Sequence, residues 1–456
     1  MFSREGQESM DITFIIPKIY QARYLESQIS IPNLGIPYLS AAIKNHGHQT
    51  KLINGEMLST KAFINRIKSI DTRVIGISSM LFNINEFFDL VNFLRELYPS
   101  KLIIGGGCGP SSLPPEYIFK KCMLDVLFRG EAENSLCAFM DMLESGQVNL
   151  DRVPGICYRK SGKGIKVNDF DLSLGGDLDK IHFPDRDLMG EKQYLKCQEK
   201  YTRTNLGPPM IRIQTSRGCP FDCSFCDKDI TGQKVRLRSA DNIIEEIIFC
   251  QKRYKCSSFF FNDDLFVSSK QRLEEFCRKI TEKKIKISWK AHARVNSLHE
   301  MTYELIKRAG CTNLFFGIES GSEKILKILN KRISPEEIRR GIESCHASGI
   351  KPGGYFMVGV PGETMEDHKA TIALIKDLPF YAIDVAIFMP YPNSKLFASL
   401  AKECTCFSWD AYTTWKDDIL SESKEKFLNY SFEISPRLIR REMLQIASAC
   451  HPTVIE

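Results

Sequence analysis

Residues 217–226 read Arg217-Gly218-Cys219-Pro220-Phe221-Asp222-Cys223-Ser224-Phe225-Cys226, and they follow a predicted strand. The glycine and proline predict a loop that can wrap three thiols around a cubic cluster. Three thiolates ligate three irons of a [4Fe–4S] cube and leave the fourth iron open to another ligand. Zinc is the competing metal, but a closed structural zinc site needs four ligands, and no second Cys or His pair lies nearby at finger spacing. Three unligated thiols are the remaining alternative.

The chain around this loop alternates short apolar runs with helical patterns, which predicts an α/β protein with two successive parallel sheets. The first pattern predicts a doubly wound, Rossmann-like domain. The second predicts a partial (β/α)6 barrel of the triosephosphate-isomerase type. Predicted strands of the first sheet are Asp11–Pro17, Thr50–Asn54, Val74–Ser78, Lys101–Gly105 and Met123–Phe128. Those of the second are Ile211–Thr215, Ser258–Asn262, Ile285–Ala291, Asn313–Ile318, Gly353–Val358 and Asp384–Met389. Helices between strands of the first sheet are predicted at Leu34–His46, Lys61–Ser69 and Asn83–Tyr98.

Polar or glycine-rich segments follow the predicted barrel strands, where parallel barrels carry their sites. Asp263 and Asp264 end the second strand, and either carboxylate can accept a hydrogen bond from an ammonium group; a helix cap is the alternative. Arg294 ends the third strand and can clamp a carboxylate with two hydrogen bonds, or form a surface ion pair. Further segments follow the fourth and fifth strands, and contain Glu319, Gly353, Met357 and Gly359.

The spacing of the three cysteines resembles the signature of the radical S-adenosylmethionine superfamily, over roughly residues 205–395. The resemblance implies a [4Fe–4S] cluster on Cys219, Cys223 and Cys226, whose open iron holds the amino and carboxylate groups of S-adenosylmethionine. It implies that cleavage of the sulfonium gives a 5′-deoxyadenosyl radical. It further implies cofactor contacts: Asp263 or Asp264 with the methionine amino group, Arg294 with the carboxylate, Glu319 with the ribose, and Gly353, Met357 and Gly359 around adenine.

Residues 11–145 resemble the cobalamin-binding domain of one branch of this superfamily, which includes the anaerobic magnesium-protoporphyrin cyclase and the cobalamin-dependent radical methyltransferases. The matching segments include Leu34–Ser40, His46–His48, Ile77–Ser79, Ile103–Gly106 and Arg129–Glu131. The resemblance implies a slot for the nucleotide tail of cobalamin, with Ser79 touching the tail and Gly105, Gly106 and Gly107 allowing close approach. One departure is that residues 17–23 contain no histidine to ligate cobalt.

The resemblance implies methylation of a carbon centre in a small molecule, with a flavodoxin or ferredoxin as electron donor. Radical cyclisation, rearrangement or oxidation without methyl transfer is the first alternative. A non-catalytic iron–sulfur redox protein is the second, and the predicted barrel argues against it.

The bulk composition is that of a globular protein, with 43% hydrophobic and 26% charged residues. The net charge of +6 over 456 residues is too small to indicate nucleic-acid binding. No signal peptide or membrane span is predicted, so we expect a cytoplasmic enzyme whose 16 cysteines are thiols or metal ligands. The expected divisions are a cobalamin-binding-like domain at 1–149, a connection at 150–205, the barrel at 206–398 and a carboxyl-terminal extension at 399–456.

Overall fold

A computed structural model of the chain describes residues 10–18, 32–160, 162, 164–169, 176–201, 209–228, 230–298, 300–403, 408–410, 412, 413, 441, 443 and 453–455. The chain divides into two compact units with the main boundary between Cys197 and Gln198. None of the described helices is both long and apolar enough to cross a membrane.

The amino-terminal unit is built on a seven-stranded sheet with the order β2-β1-β3-β4-β5-β6-β7. The first five strands are parallel, and this 2-1-3-4-5 order is that of a doubly wound flavodoxin-like domain. The strands are β1 (Asp11–Ile16), β2 (Gln49–Asn54), β3 (Val74–Ser78), β4 (Leu102–Gly106), β5 (Val126–Phe128), β6 (Ile156–Arg159) and β7 (Ile165–Val167).

The helices of this unit follow the strands, and their apolar faces close the core with the sheet. The sequence predicted three of them to within two residues at each end, at Leu34–His46, Lys61–Ser69 and Asn83–Tyr98. The helices are α1 (Gly35–Asn45), α2 (Thr60–Ile67), α3 (Ile84–Leu97), α4 (Cys108–Ser112), α5 (Pro115–Lys121), α6 (Glu133–Ser145), α7 (Arg186–Met189) and α8 (Glu191–Tyr201).

Residues 156–167 differ from the prediction of an irregular connection. They form β6 and β7, which extend the first sheet as an antiparallel hairpin from β5. The segment Ile156–Tyr158 is buried, and the Arg129 amide donates to the Gly155 carbonyl at 2.9 Å, so the segment packs as part of the first unit. The expected boundary at residue 149 is therefore too early for this sheet.

The second unit contains a seven-stranded parallel sheet in which the order in space follows the order in sequence. This topology confirms the predicted partial barrel and adds a strand, Thr453–Ile455, that was not predicted. The strands are β8 (Ile211–Ile213), β11 (Ser258–Phe261), β12 (Ser288–Ala293), β13 (Cys311–Glu319), β14 (Lys351–Val358), β15 (Ala382–Ile387) and β16 (Thr453–Ile455), and a short antiparallel pair consists of β9 (Ser216–Arg217) and β10 (Arg236–Leu237).

Hydroxyl side chains fix the starts of several barrel helices. Ser239, Ser269 and Ser322 each accept a hydrogen bond from the backbone three residues on, and Ser334 forms a full capping box with Glu337. These caps place helix starts after loops at the carboxyl ends of strands. The helices are α9 (Ala240–Tyr254), α10 (Lys270–Glu282), α11 (Glu300–Arg308), α12 (Glu323–Ile328), α13 (Pro335–Ala347), α14 (Met365–Asp377) and α15 (Lys395–Glu403).

Candidate functional site

The three-cysteine loop lies after β8 and is held at its centre by neighbouring elements of the barrel. The Ser224 amide donates to the Leu329 carbonyl at 3.0 Å, and the Ser224 hydroxyl donates to the Ile328 carbonyl at 2.7 Å. On the other side, the Leu396 amide donates to the Ser224 carbonyl at 2.8 Å. Ser224 therefore ties the loop to the end of α12 and the start of α15, between the second and third cysteines.

The three thiols of this loop are half-buried. In the described part of the chain, one group of three possible metal ligands has its ligand atoms within 4.8 Å of one another, and it consists of His48, Asp141 and Glu144. The three loop cysteines do not meet this criterion. Two thiolates on one zinc ion, each at about 2.3 Å from the metal, lie at most about 4.6 Å apart. The three thiols are therefore not all within this distance of one another, and a cluster of several irons accommodates such spacing.

Asp263 has a structural role that differs from the predicted cofactor contact. Its carboxylate accepts hydrogen bonds from the Thr215 amide at 2.6 Å and the Ser216 amide at 3.1 Å, and also from the Thr215 hydroxyl. The Arg272 guanidinium lies 4.0 Å away, and Asp263 is 1% exposed. Its oxygens are therefore occupied in anchoring the entry to the cysteine loop.

Asp264, the next residue, is exposed and acts on the cysteine loop. Burial raises the pKa of the Cys226 thiol; Lys228 opposes this shift, whereas Cys223, Asp264 and Cys219 add to it. Of the two predicted aspartates, Asp264 is thus the exposed one, and its charge acts on Cys226.

Arg294 is brought directly to the cysteine loop by the end of β12. Its guanidinium lies 3.9 Å from the centre of the Phe221 ring and hydrogen-bonds to Cys223. It also donates to the Arg332 carbonyl at 3.3 Å and to the Asn296 side chain at 3.2 Å. Burial lowers the pKa of Arg294, and the charge and hydrogen bond of Cys223 oppose that shift. The side chain is therefore fixed beside the thiols.

Glu319 ends β13 with a backbone φ of 72°, a left-handed conformation that few non-glycine residues adopt. Its carboxylate forms a buried ion pair of 2.8 Å with Lys331. The Lys331 ammonium also lies 5.8 Å from the Phe225 ring centre, so this pair borders the cysteine loop. Sequence reasoning missed Lys331 because it precedes α13 and carries no motif.

The predicted adenine-binding residues of β14 differ in their surroundings. Met357 is half-buried and packs against the same apolar cluster as Phe225 of the cysteine loop. The Gly359 amide, at φ 81°, donates to the Glu363 carboxylate at 2.6 Å, which fixes the turn after β14. A side chain at Gly353 would begin 2.4 Å from the Phe315 ring, so this glycine makes room for Phe315. The structure thus gives Gly353 a packing role.

His292 and Tyr355 form a hydrogen-bonded chain inside the barrel. His292 Nδ1 lies 3.0 Å from the Asp263 carbonyl oxygen, and Nε2 lies 3.2 Å from the Tyr355 hydroxyl. Burial lowers the pKa of His292, which favours the neutral ring. A neutral ring that donates from Nδ1 accepts at Nε2, so the Tyr355 hydroxyl donates to it. The sequence did not single out either residue.

In the amino-terminal unit, the ends of β3 and β4 meet through glycines. The Ser79 amide donates to the Gly106 carbonyl at 3.1 Å, and the Gly109 amide donates to the Ser79 carbonyl at 3.0 Å. A side chain at Gly107, which has φ 96°, would begin 2.5 Å from the Ser79 carbonyl oxygen. A side chain at Gly105 would strike the Phe87 ring at 2.7 Å. The glycines let the two strand ends close together.

The Ser79 hydroxyl is turned into its own loop. Ser79 is 3% exposed, and its hydroxyl donates within its own loop, to the Asn83 side chain at 2.8 Å among others. Ser78, Gly106 and Gly107 are half-buried at the same sheet edge. These small residues leave the edge open to close approach, which fits a narrow slot for the nucleotide tail at the carboxyl end of a doubly wound sheet.

Comparison with known protein families finds two domains in the chain. Residues 213–375 match the radical SAM superfamily, and residues 24–140 match the B12-binding domain. The chain is 28% identical to an uncharacterised methyltransferase of Pyrococcus horikoshii over 96% of its own length and 95% of the relative's. It is 23% identical to the anaerobic magnesium-protoporphyrin IX monomethyl ester cyclase of Rubrivivax gelatinosus, over 88% of this chain and 72% of that one.

Among solved structures, the chain is similar to the radical S-adenosylmethionine methyltransferase TsrM of Kitasatospora setae with cobalamin and a [4Fe–4S] cluster bound. The TM-score is 0.72 at 16% identity, over 87% of this chain and 78% of that one. At this identity the likeness shows the fold alone. The family and the fold class predicted from the sequence are both confirmed.

Proposed function

We propose that this chain, which belongs to the cobalamin-binding branch of the radical S-adenosylmethionine superfamily, methylates a carbon centre of a small-molecule substrate. The observation that carries the proposal is the presence of both cofactor sites in one chain: a three-thiol loop with Arg294 on Cys223, and a glycine-lined sheet edge in the amino-terminal unit. The similarity to a methyltransferase along nearly the whole length of both chains supports it.

When bound, the cluster supplies the electron that cleaves S-adenosylmethionine to methionine and a deoxyadenosyl radical, and the cobalamin supplies the methyl group. Cys219, Cys223 and Cys226 would hold the cluster, and Ser224 fixes the loop that carries them. Ser78, Gly106 and Gly107 would admit the cobalamin tail.

The remaining site residues would bind and orient S-adenosylmethionine. The Arg294 guanidinium is suited to the methionine carboxylate because Phe221 and the Arg332 carbonyl already hold it in one place. The exposed Asp264 carboxylate is suited to the amino group. Glu319, held by Lys331, would accept hydrogen bonds from the ribose hydroxyls, and Met357 with the Gly359 turn would contact adenine.

For the cellular setting, we propose a flavodoxin or ferredoxin as the electron donor and the cytoplasm as the location, with no nucleic-acid partner. The first follows from the need for low-potential electrons delivered one at a time, both for the cleavage of S-adenosylmethionine and for restoring the cobalamin. The others rest on the small net charge of +6 and the free thiols.

The test uses anaerobically reconstituted protein with hydroxocobalamin, a reductant and S-adenosylmethionine carrying a deuterated methyl group. A metabolite extract from cells that lack the gene supplies the unknown substrate. We expect 5′-deoxyadenosine and S-adenosylhomocysteine together, and a product that carries deuterium. The Cys219→Ala, Cys223→Ala, Cys226→Ala triple variant is the control, and it should form neither nucleoside product.

The similarity to the magnesium-protoporphyrin cyclase favours a second candidate, radical oxidation or cyclisation without methyl transfer. The same assay separates the two functions because methyl transfer from S-adenosylmethionine leaves S-adenosylhomocysteine. If 5′-deoxyadenosine accumulates with substrate and no S-adenosylhomocysteine forms, the methyl-transfer proposal is wrong and the second candidate replaces it.

A further inference from the structure

The two faces of β12 differ in burial. The residues of one face, beginning with Trp289, are buried, and those of the other face are half-buried. Trp289 packs against Phe276 of α10 with ring centres 6.3 Å apart, so the buried face is the helix side. Because successive side chains of a strand point to opposite faces, Lys290 and His292 lie on the inner face of the barrel.

The strand register places a second cation beside Lys290 on this inner face. Phe260 of β11 pairs with Lys290 on one side and with Arg212 of β8 on the other. Residues that pair in register point to the same face of a parallel sheet, so these three side chains lie together. The Lys290 ammonium lies 4.9 Å from the centre of the Phe260 ring, and the Arg212 guanidinium lies 5.5 Å from it. Two like charges are therefore held around one aromatic ring.

The described side chains around Lys290 do not neutralise its charge. The ammonium also lies 5.7 Å from the centre of the Phe315 ring, and in the part of the chain that the structure describes it forms no ion pair or hydrogen bond. Burial lowers the pKa of His292 and raises that of Tyr355, so both of these neighbours are neutral near pH 7. Asp384 pairs in register with Tyr355, on a strand three places away from β12.

A cation in this position is unusual for a barrel. Barrel interiors are mostly filled by branched apolar side chains, and a buried charge is costly unless it is paired. Burial lowers the pKa of Lys290 to about 8, and the charge of Arg212 adds to this shift. The fold thus holds at Lys290 a charge that an anionic group of a ligand would compensate.

We propose that Lys290 and Arg212 bind an anionic oxygen group of the substrate, a carboxylate or a phosphate, on the inner face of the barrel. The inference rests on the proposed function, since it names the class of small molecule that the enzyme methylates. Lys290 precedes Arg294 by four residues, and a strand rises about 3.3 Å per residue, so the two residues are about 13 Å apart along the strand. The anionic group is therefore bound apart from S-adenosylmethionine, and the rest of the substrate extends towards the carboxyl ends of the strands, where the cysteine loop lies.

The experiment measures the binding of small anions to the full-length protein by isothermal titration calorimetry. The protein carries its reconstituted cluster in the oxidised form, with S-adenosylmethionine in excess so that the open iron and Arg294 are occupied. Inorganic phosphate and propionate are the probes, and propionamide is the uncharged control for propionate. We expect at least one anion to bind the wild-type protein and propionamide not to bind. Binding of phosphate identifies a phosphate ester as the substrate class, and binding of propionate identifies a carboxylic acid.

Substitutions assign the binding to the two cations. In Lys290→Met the affinity for the anion should fall by at least about tenfold, because a charge-assisted contact is lost. Arg212→Met should weaken binding in the same direction, and Lys290→Arg should retain the binding that Lys290→Met loses. Lys351→Met is the matched control, because Lys351 is an exposed lysine of β14 whose ammonium lies 4.2 Å from the centre of the Tyr381 ring. It should bind the anion as the wild type does.

Lys290→Met should also be at least as stable as the wild type in chemical denaturation, because it replaces a buried, uncompensated cation with an apolar side chain of similar size. A clear loss of stability would show that Lys290 serves the fold and would overturn the proposal. The proposal is also wrong if neither anion binds the wild type, if propionamide binds as well as propionate, or if Lys290→Met binds as the wild type does. None of these measurements requires methyl transfer, so failure of this inference and failure of the proposed function are separate results.

Discussion

Two neighbouring aspartates at the end of β11 show how burial separates roles that the sequence alone leaves equal. Asp263 and Asp264 are both carboxylates at the carboxyl end of a barrel strand. The first is buried against Thr215, Ser216 and Arg272, whereas the second is exposed. The chemistry of a side chain in this position is thus decided by which polar groups the fold brings to it.

Asp263→Asn should therefore destabilise the barrel. The amide has one acceptor oxygen in place of two. Oδ1 can still accept from the Thr215 and Ser216 amides, but the Thr215 hydroxyl loses its acceptor, and Arg272 is left without its buried counter-charge. Removing one partner of a buried pair costs about 3–5 kcal/mol. Chemical denaturation of the apo protein would measure this loss, together with reduced iron uptake on reconstitution.

Asp264→Asn is the control for that variant, because it changes an exposed carboxylate next to the same strand. Its free energy of unfolding should stay within about 0.5 kcal/mol of the wild type. If the two variants were equally unstable, the anchoring role of Asp263 would be contradicted.

Glu319→Gln should weaken S-adenosylmethionine binding and leave the cluster in place. The substitution removes the charge that holds Lys331 at 2.8 Å and weakens acceptance of hydrogen bonds from ribose. A charge-assisted hydrogen bond is worth about 1.5–3 kcal/mol, so affinity should fall by at least about tenfold. Equilibrium binding to reconstituted protein measures this, with iron content as the control. Unchanged affinity would exclude Glu319 from the nucleoside site.

At the scale of elements, β12 is held against α10 by an aromatic cluster. The Trp289 ring centre lies 5.3 Å from those of Phe261 and Phe266 and 6.3 Å from that of Phe276. The indole N–H also donates to the Ala309 carbonyl at 2.9 Å. Trp289→Ala should lower the free energy of unfolding by about 3–5 kcal/mol. Trp409 lies outside this cluster, so Trp409→Ala should leave Phe261 and its neighbours packed. If the two variants lost the same free energy of unfolding, the effect of Trp289→Ala would not be specific to this cluster.

The turn after β14 should make stability depend on pH. Burial raises the pKa of Glu363 from 4.5 to about 7, although the hydrogen bonds from the Gly359 and Val360 amides act to lower it. The folded state therefore holds the proton more tightly than the unfolded state, so stability is full below pH 4.5 and is lost as pH rises towards 7. A shift of this size corresponds to about 3 kcal/mol.

Glu363→Gln should remove this part of the pH dependence, which unfolding experiments at pH 5 and pH 8 would measure. The exposed Glu366→Gln serves as the control and should retain the wild-type slope. If Glu363→Gln keeps the same slope as the wild type, the turn does not carry the effect.

The strands that the sequence predicted well are those whose burial shows in their own residues. Val74–Ser78 was predicted to the residue because its first four positions are apolar or glycine and buried. Ile165–Val167 was missed because it is a short edge strand with two exposed residues of three. Thr453–Ile455 was missed because it joins β15 from far along the chain, and periodicity does not report such pairing.

The site residues that could be predicted are likewise those that a local feature of the sequence marks. The cysteine loop, Arg294 and Glu319 could be found because a local motif or a strand end marks them. Lys331 could not, since it reaches Glu319 only through the folded path of α12. The sequence also does not show which of the two adjacent serines, Ser78 or Ser79, turns inward.

At the scale of the whole molecule, the described cysteines fall into two groups by burial. Cys108, Cys197 and the three loop cysteines are partly exposed. Most of the others are buried small hydrophobic residues, and burial raises the pKa of Cys122 and Cys277 to about 12. Because the thiolate is the reactive form, the second group should be inert in the folded protein.

An alkylation map of the cysteines tests this division across both units at once. At pH 8 under anaerobic conditions, iodoacetamide should modify Cys219, Cys223 and Cys226 in the apo protein within the time in which Cys122 and Cys277 stay unmodified. Loading the cluster should protect the three loop cysteines from alkylation, because a thiolate that ligates iron does not react with iodoacetamide. The reactivity of Cys108 and Cys197 should stay unchanged, because these thiols are not ligands. Denaturant should expose Cys122 and Cys277. Modification of Cys277 in the folded protein would contradict the packing described for α10, and loop thiols that stay reactive after iron loading would contradict the ligand assignment.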